Sequence, residues 1–357
     1  MAWPADYIEP RLETAERVRT PRCGLPRQYA AVSSEQSRLK LGLGIFSLQS
    51  VPRHPDHHVR IYRNLIDDAQ MAESLGFDSL WLSEHHFWFD GYCPADLAVA
   101  GSVLARTKTL RVGTAVLLLP LHSAAKVADD ARTMSRLSGG RMALGVGLGY
   151  RDEEFDGFGL QRKERGRSMD RLLPRLVELC AQKGAPPVHI SVAAASSVAA
   201  DRAGRLGLPV FADSTMTADE LNEMMARYSA AAAKAGVPEA RDHILQRDVF
   251  VSDDPERDWD LLFPELRYMR RQYGGWSLPQ TAGETDAEHV QRLESDIEAK
   301  LRNLIFGRPD HVAAELEKFH GLGFELIVCR SQYGNVPREL FHRAVSGLGR
   351  VREMVAS

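Results

Sequence analysis

The stretch Phe77-Asp78-Ser79-Leu80-Trp81-Leu82-Ser83-Glu84-His85-His86-Phe87 changes character abruptly. An apolar run of β-forming residues gives way to a carboxylate and two imidazoles. A buried strand that delivers reactive groups at its carboxyl end has this pattern. Just before it, Val59, Tyr62, Leu65, Ile66, Ala69, Ala72 and Leu75 recur at spacings of three and four, which predicts an amphipathic helix ending at Gly76. The same join returns at Leu206-Gly207-Leu208 and at Leu322-Gly323-Phe324. Helices closed by glycine and followed at once by short strands indicate βα units and a parallel sheet.

Candidate strands fall at about 40–47, 78–85, 110–119, 141–149, 188–194, 209–213, 243–251 and 325–331. Eight strands alternating with helices predict an α/β fold, a (β/α)8 TIM barrel. An open doubly wound sheet is the runner-up, but Gly42-Leu43-Gly44 lacks the third glycine and the helix start of a dinucleotide fingerprint. The glycines of this first strand suggest close approach of another backbone. The barrel is read over residues 39–357, after a polar, proline-bearing extension at 1–38 that lacks a sustained apolar period. Residues from about 255 to 306 form an insertion carrying Trp259, Tyr268, Tyr273 and Trp276, which predicts an added helix beside the barrel mouth.

Composition narrows the function classes. The 357 residues are 44% hydrophobic and 26% charged with net charge −3, an ordinary soluble-globular balance with no electrostatic footprint for nucleic acid. No apolar run is long enough for a membrane span, and the first residues carry no apolar signal core, so a cytoplasmic location is expected. Cys23, Cys93, Cys180 and Cys329 are far apart, fit no zinc or redox spacing, and read as thiols of a reducing compartment.

In such a barrel the active site is built from loops at the carboxyl ends of the strands. Glu84, His85 and His86 leave strand two there, His122 and Ser123 strand three, Tyr150, Arg151 and Glu154 strand four, and Ser196 and Ser197 strand five. Successive strand residues point to opposite faces, so His85 and His86 cannot share one ion without a turn. The other strand ends offer no second histidine–carboxylate pair, and no metal is expected. Glu84 and one of the two rings read as a hydrogen-bonded pair, and the other imidazole as a general acid or base. His54, His57 and His58 precede a helix and read as solvated.

Three segments narrow the chemistry: GFDSLWLSEHHF from Gly76, VGTAVLLLP from Val112, and LSGGRMALGVGLG from Leu137. Their combination closely resembles the bacterial luciferase-like flavin-dependent monooxygenases, and the resemblance runs with gaps from about Lys40 to Val351. It implies a (β/α)8 barrel binding reduced flavin mononucleotide (FMNH2), or the deazaflavin F420, at its mouth. In the flavin type, O2 adds to the reduced ring as a C4a-hydroperoxide that oxygenates a small organic substrate. A separate NAD(P)H:flavin reductase supplies the FMNH2. By position the resemblance makes His85 the catalytic imidazole, flanked by Glu84 and His86. It assigns cofactor contacts to Phe46, Ala115, Val116, Gly147, Tyr150, Ala195, Ser196 and Ser197, with a cis peptide at Ala115–Val116. The phosphate falls in the turn at Ala195-Ser196-Ser197, just before a helix, where Ser196 equally suits an N-cap.

The chain departs from that pattern in places. Leu148 stands where the luciferases carry a phosphate-gripping arginine, so that charge comes from elsewhere or is absent. Arg151 and Arg165 are candidates that also read as surface residues, and weak cofactor binding is expected. Gly147 replaces a luciferase cysteine, and the 181–187 segment is short. An F420-dependent oxidoreductase and a non-catalytic flavin-binding protein are the alternatives. The resemblance also implies a homodimer through helices at about 96–106 and 124–137, where Ala98, Ala100, Gly101 and Ala105 would allow close approach. Phe46, Phe87, Trp88 and Tyr92 near the mouth suggest a substrate with an apolar or aromatic portion.

Overall fold

The computed structural model describes residues 38–49, 57–88 and 91–355. The extension expected at 1–38 lies outside them apart from Arg38, and so does His54. Nine strands appear in the described chain: β1 Lys40–Phe46, β2 Ser79–Leu82, β3 Arg111–Leu118, β4 Met142–Gly147, β5 His189–Ala194, β6 Val210–Ala212, β7 His243–Val251, β8 Ile305–Gly307 and β9 Phe324–Arg330. Between and after them run α1 His57–Ser74, α2 Asp96–Arg106, α3 Ala124–Ser138, α4 Asp152–Gly157, α5 Arg165–Cys180, α6 Ser197–Leu206, α7 Ala218–Ala235, α8 Pro255–Ser277, α9 Asp286–Leu301, α10 Pro309–His320 and α11 Arg338–Val355.

All strand pairings are parallel, and β9 bonds to both β1 and β7 while β6 bonds to β7. Strands β1 to β7 and β9 therefore close into the expected eight-stranded barrel. The insertion differs from its expectation. It forms two helices, α8 and α9, followed by the short strand β8, which pairs with β7 outside the barrel. His57 and His58 lie within the first turn of α1 rather than ahead of it.

The strands are mostly apolar on both faces because one face meets the helices and the other fills the barrel. Along β2 this is literal: Leu80 and Leu82 join the core under the helices, while Trp81 enters the interior cluster with Ile45, Ala115, Ala143, Phe211, Ile244, Leu326 and Val328. The indole stands edge-on to Phe211 at 5.2 Å, and its Nε1 donates to Ser79 Oγ at 2.8 Å. It occupies the room left by glycines on both neighbouring strands. A Cβ on Gly113 would lie 2.4 Å from Trp81 Cζ3, and one on Gly42 would lie 3.0 Å from Nε1. At Gly42 the close approach is thus a side chain and not the anticipated backbone, whereas Gly44 does face a backbone atom, the Trp81 carbonyl oxygen.

The helices expected at 96–106 and 124–137 are α2 and α3. Their small residues are partly used within the chain, since Ala100 is fully buried and Gly101 faces Met134 of α3. Ala98 and Ala105 are exposed. Cys93, Cys180 and Cys329 are buried free thiols, and burial pushes the first two up to about 12. Among the described residues no helix is long and apolar enough to cross a membrane.

Replacing Gly113 by Ala should overpack the barrel against Trp81 and lower stability by about 1–3 kcal/mol. A urea unfolding midpoint equal to that of the parent chain would show that the indole does not need this space.

Candidate active site

Strand β2 ends at Leu82 rather than at residue 85, so Glu84, His85 and His86 ride on the loop beyond it. That loop turns sharply at Phe87, whose φ is 54°. The two imidazoles part there. His85 Nδ1 lies 2.7 Å from Glu154 Oε1, and the same oxygen accepts the His86 backbone N–H at 3.0 Å. Glu154 sits in the first turn of α4 and is wholly buried. On the other side of the ring, His85 Nε2 lies 3.3 Å from the Tyr150 hydroxyl. The rings of Tyr92 and Tyr150 stand edge-on to the imidazole at 4.6 and 5.5 Å. A carboxylate at Nδ1 holds that proton in place and leaves Nε2 as the acceptor at the cavity wall.

His86 turns away to a different carboxylate. Its Nε2 and that of His122 each lie 2.6 Å from Glu84 Oε1, while Leu118 N–H donates to Glu84 Oε2 at 2.5 Å. Burial alone would raise the Glu84 carboxyl, but the hydrogen bonds from His122 and His86 outweigh it and hold the group down at about 2. Glu84 with one ring is therefore a hydrogen-bonded pair, as the sequence suggests, extended by His122. Ligand atoms of Glu84, His86 and His122 lie within 4.8 Å of one another, a convergence that strand spacing alone does not reveal. Their mutual hydrogen bonds account for it. Of the three proposed catalytic residues, His85 and Glu84 line the cavity and His86 does not.

That cavity, about 470 Å³, opens at the carboxyl ends of the barrel strands. Ala115, Val116, Gly147, Tyr150, Ala195 and Ser196 line it, as expected of the cofactor residues. The Ala115–Val116 peptide is cis, and so is Gly44–Ile45. Gly147 owes its lack of a side chain to Val116, whose Cγ2 would lie 2.4 Å from a Cβ there. Ser196 caps α6, accepting from Ala199 N–H, and Ser197 lines an adjoining depression with Thr215 and Arg227.

Phe46 requires correction. It is buried against Phe341 in the core under the helices, and Ile45 faces the cavity in its place. The register of β1 against β2 shifts between Leu43 and Phe46. A shift of one residue exchanges the faces, so Ile45 turns inward and Phe46 outward. The mouth aromatics divide as well: Phe87 is exposed, Trp88 packs under the Arg151 guanidinium at 4.8 Å, and Tyr92 is buried.

The cations also differ from expectation. Arg151 is not a surface residue. It is buried and donates to the His86 carbonyl at 2.9 Å, bracing the loop that carries His85. Arg165 is half-buried, bonds the Arg162 carbonyl at 3.1 Å and does not line the cavity. Leu148 does line it, and the positive charge comes from Arg270, Lys300 and Arg330. Two of these stand on the insertion helices α8 and α9, and Tyr273 of α8 bonds the Tyr92 hydroxyl at 2.5 Å, which in turn meets Ser83 Oγ at 2.8 Å. The insertion is thereby a wall of the cavity. The side chain of Trp276 lies outside the described residues. Arg330 ends β9, the position class that drew attention to Glu84. Asp248, inside the fully buried strand β7, carries the signal of a charge that a strand buries only with a partner.

A family model for luciferase-like monooxygenase matches residues 41–326. The chain belongs to the luciferase-like monooxygenase family. It is similar to an alkanal monooxygenase alpha chain of the Kryptophanaron alfredi symbiont, 34% identical over 116 residues, which are 32% of each chain. The chain thus spans about a third of the length of that relative. It is also 25% identical over 295 residues to an F420-dependent glucose-6-phosphate dehydrogenase of Amycolatopsis mediterranei, covering 74% of this chain and 87% of that one. Among solved structures, the oxygenating constituent of 3,6-diketocamphane monooxygenase from Pseudomonas putida, in complex with FMN, shares the fold. The TM-score is 0.70 at 18% identity, over 89% of this chain and 98% of that one. The relatives therefore include both flavin and F420 enzymes.

The Glu84 cluster has a stability signature. Its depressed carboxyl contributes stability above the ordinary value of 4.5 that is lost as pH falls toward about 2. Glu84→Gln lacks that term, so the advantage of the parent chain should shrink by up to about 3 kcal/mol across this window. Urea midpoints measured from pH 6 downward read it, and a gap independent of pH would contradict the assignment.

Proposed function

We propose that this chain is a reduced-flavin-dependent monooxygenase in which His85 is the acid–base residue. The observation that carries the reading is the imidazole fixed by buried Glu154, with Nε2 beside Tyr150 on the wall of the cavity. Reduced FMN, when bound, supplies the two electrons that activate O2 for transfer to a small organic substrate.

The residues present fit that cofactor. Ala115 and Val116 offer a flat apolar floor, and the first turn of α6 with Ser196 and Ser197 presents N–H and hydroxyl donors to a phosphate. Arg227 beside Ser197 and Lys300 on the cavity wall stand in for the charge that Leu148 lacks. Both already face carboxylates, Asp201 at 3.0 Å and Asp296 at 2.7 Å. The hold on a phosphate is therefore modest, which suits a cofactor received from a separate NAD(P)H:flavin reductase.

Within the site, His85 Nε2 accepts or returns a proton and the Tyr150 hydroxyl orients what it meets. The Tyr92–Tyr273 bond keeps α8 drawn over the cavity and helps to exclude water. The exposed residues of α2 and α3, Ala98 and Ala105 among them, form the contact of a homodimer, and the buried free thiols suit the cytoplasm.

Anaerobic titration with reduced FMN and with reduced F420, followed by admission of O2, tests the reading. Reduced FMN should bind and reoxidise more slowly than it does free in buffer. Preferential binding of reduced F420, with turnover under nitrogen, would replace the reading by that of a hydride-transferring enzyme. His85→Ala should keep reduced-flavin binding and lose about 10²–10⁴-fold in turnover. Glu154→Gln should lose less and shift the pH–rate profile. Full activity of His85→Ala would remove the assigned role.

A further inference from the structure

The wall of the cavity formed by β7, β9 and α8 holds two guanidinium groups against one carboxylate. Asp248 Oδ1 accepts from Arg330 Nε at 2.5 Å, and Asp248 Oδ2 accepts from Arg270 Nη2. All three side chains are more than nine-tenths buried, and both arginines line the cavity. Arg330 Nη2 also reaches Ser214 Oγ at 3.4 Å, and its guanidinium lies 5.9 Å from the centre of the Tyr273 ring. Arg270 Nε has no hydrogen-bond partner among the described residues.

The charges do not balance. Two cations and one anion leave a buried net charge of +1, and among the described residues no second carboxylate touches either guanidinium. The nearby acids are engaged elsewhere: Asp213 accepts from Thr215 N–H and Oγ1, at 2.8 and 2.6 Å, and Asp296 pairs with Lys300. Burial alone would raise the Asp248 carboxyl, but the two guanidiniums hold it below the usual carboxylate range, so it remains a full anion and not a further sink for charge. A desolvated excess cation is costly unless an anion completes it. The triad does tie α8 to the barrel, but one arginine would suffice for that tie, and the second adds the uncompensated charge.

We propose that Arg270 and Arg330 form the recognition site for a carboxylate on the substrate, which is therefore an apolar organic acid. This rests on the monooxygenase reading of the same cavity. The placement separates the pair from the cofactor phosphate, because β9 lies three strands round the barrel from the β5 turn that bears Ser196. Ile45, Val116 and Phe211 also line the cavity and offer apolar contact to the hydrocarbon part of such an acid. Tyr273, which neighbours Arg330, bonds Tyr92, whose ring lies against His85. An acid anchored by the arginines thus extends toward the imidazole.

Calorimetric titration of the full chain with sodium benzoate and with benzamide, a neutral molecule of the same shape, tests this. Benzoate should bind about tenfold more tightly than benzamide, the advantage of a charge-assisted contact. Arg270→Gln should abolish the preference, and Asp248→Asn, which frees both guanidiniums, should strengthen it; that gain cannot arise from misfolding. Equal binding of the two probes, or a preference that survives Arg270→Gln unchanged, would overturn the proposal. Reduced FMN is titrated alongside: if Arg270→Gln weakens flavin as much as benzoate, the pair belongs to the cofactor and the proposal fails. Failure of the parent chain to bind reduced FMN, with the benzoate preference intact, would count against the functional reading and leave the acid site standing.

Discussion

The hydrogen bond between His85 Nδ1 and Glu154 organises the mouth of this barrel. A wholly buried carboxylate must be paired, and Glu154 Oε1 meets the imidazole, the His86 N–H and, at 3.6 Å, Arg151, while Oε2 has no hydrogen-bond partner among the described residues. These partners pin the loop after β2 to the helix after β4. Adjacent His86 is pulled the opposite way by Glu84, which gathers His122 and the Leu118 N–H from the end of β3. Two buried carboxylates thus divide two neighbouring histidines into one that faces the cavity and one that does not. The same chemistry, applied twice with different neighbours, gives one ring a nitrogen beside Tyr150 on the cavity wall and the other a structural tie.

The barrel supplies the rigidity that such a division requires. Its closure through β9, bonded on both edges, brings the ends of β2, β3, β4 and β9 to one mouth. Trp81 plugs the interior directly beneath, in space cleared by Gly42 and Gly113, so the floor of the cavity rests on a packed ring and not on solvent. Above it, α8 and α9 complete the wall with Arg270, Tyr273 and Lys300. The insertion packs through Leu262, Leu266 and Met269 on Phe250, Tyr333 and Leu340, and it meets the site through the Tyr92–Tyr273 bond and the Arg270–Asp248 ion pair.

Much of this was legible in the residues. Glycine-closed helices leading into apolar runs reported the βα repeat, and the abrupt end of SLWL in polar groups located the site. The burial of Glu84, Arg151 and Glu154 was not legible, because a charge looks the same in sequence whether solvated or enclosed. Phe46, assigned to the cofactor by the resemblance, turns to the helices because the register of β1 shifts before it, which no residue pattern announces. Arg270 and Lys300 could not be joined to the site from spacing, since helices of an insertion approach the barrel by tertiary packing alone. Arg330 and Asp248 were open to detection. A charge within or at the end of a buried strand must meet a partner, and each is the other's.

The central claim is that Glu154 fixes His85 with its proton on Nδ1 and leaves Nε2 to the cavity. Nitrogen-15 resonances of labelled histidine, assigned with the His85→Ala variant and recorded where the ring is neutral, measure this directly. The account predicts a protonated Nδ1 and an unprotonated Nε2, with that tautomer bias lost in Glu154→Gln. A neutral ring protonated on Nε2, or a bias indifferent to Glu154, would contradict it.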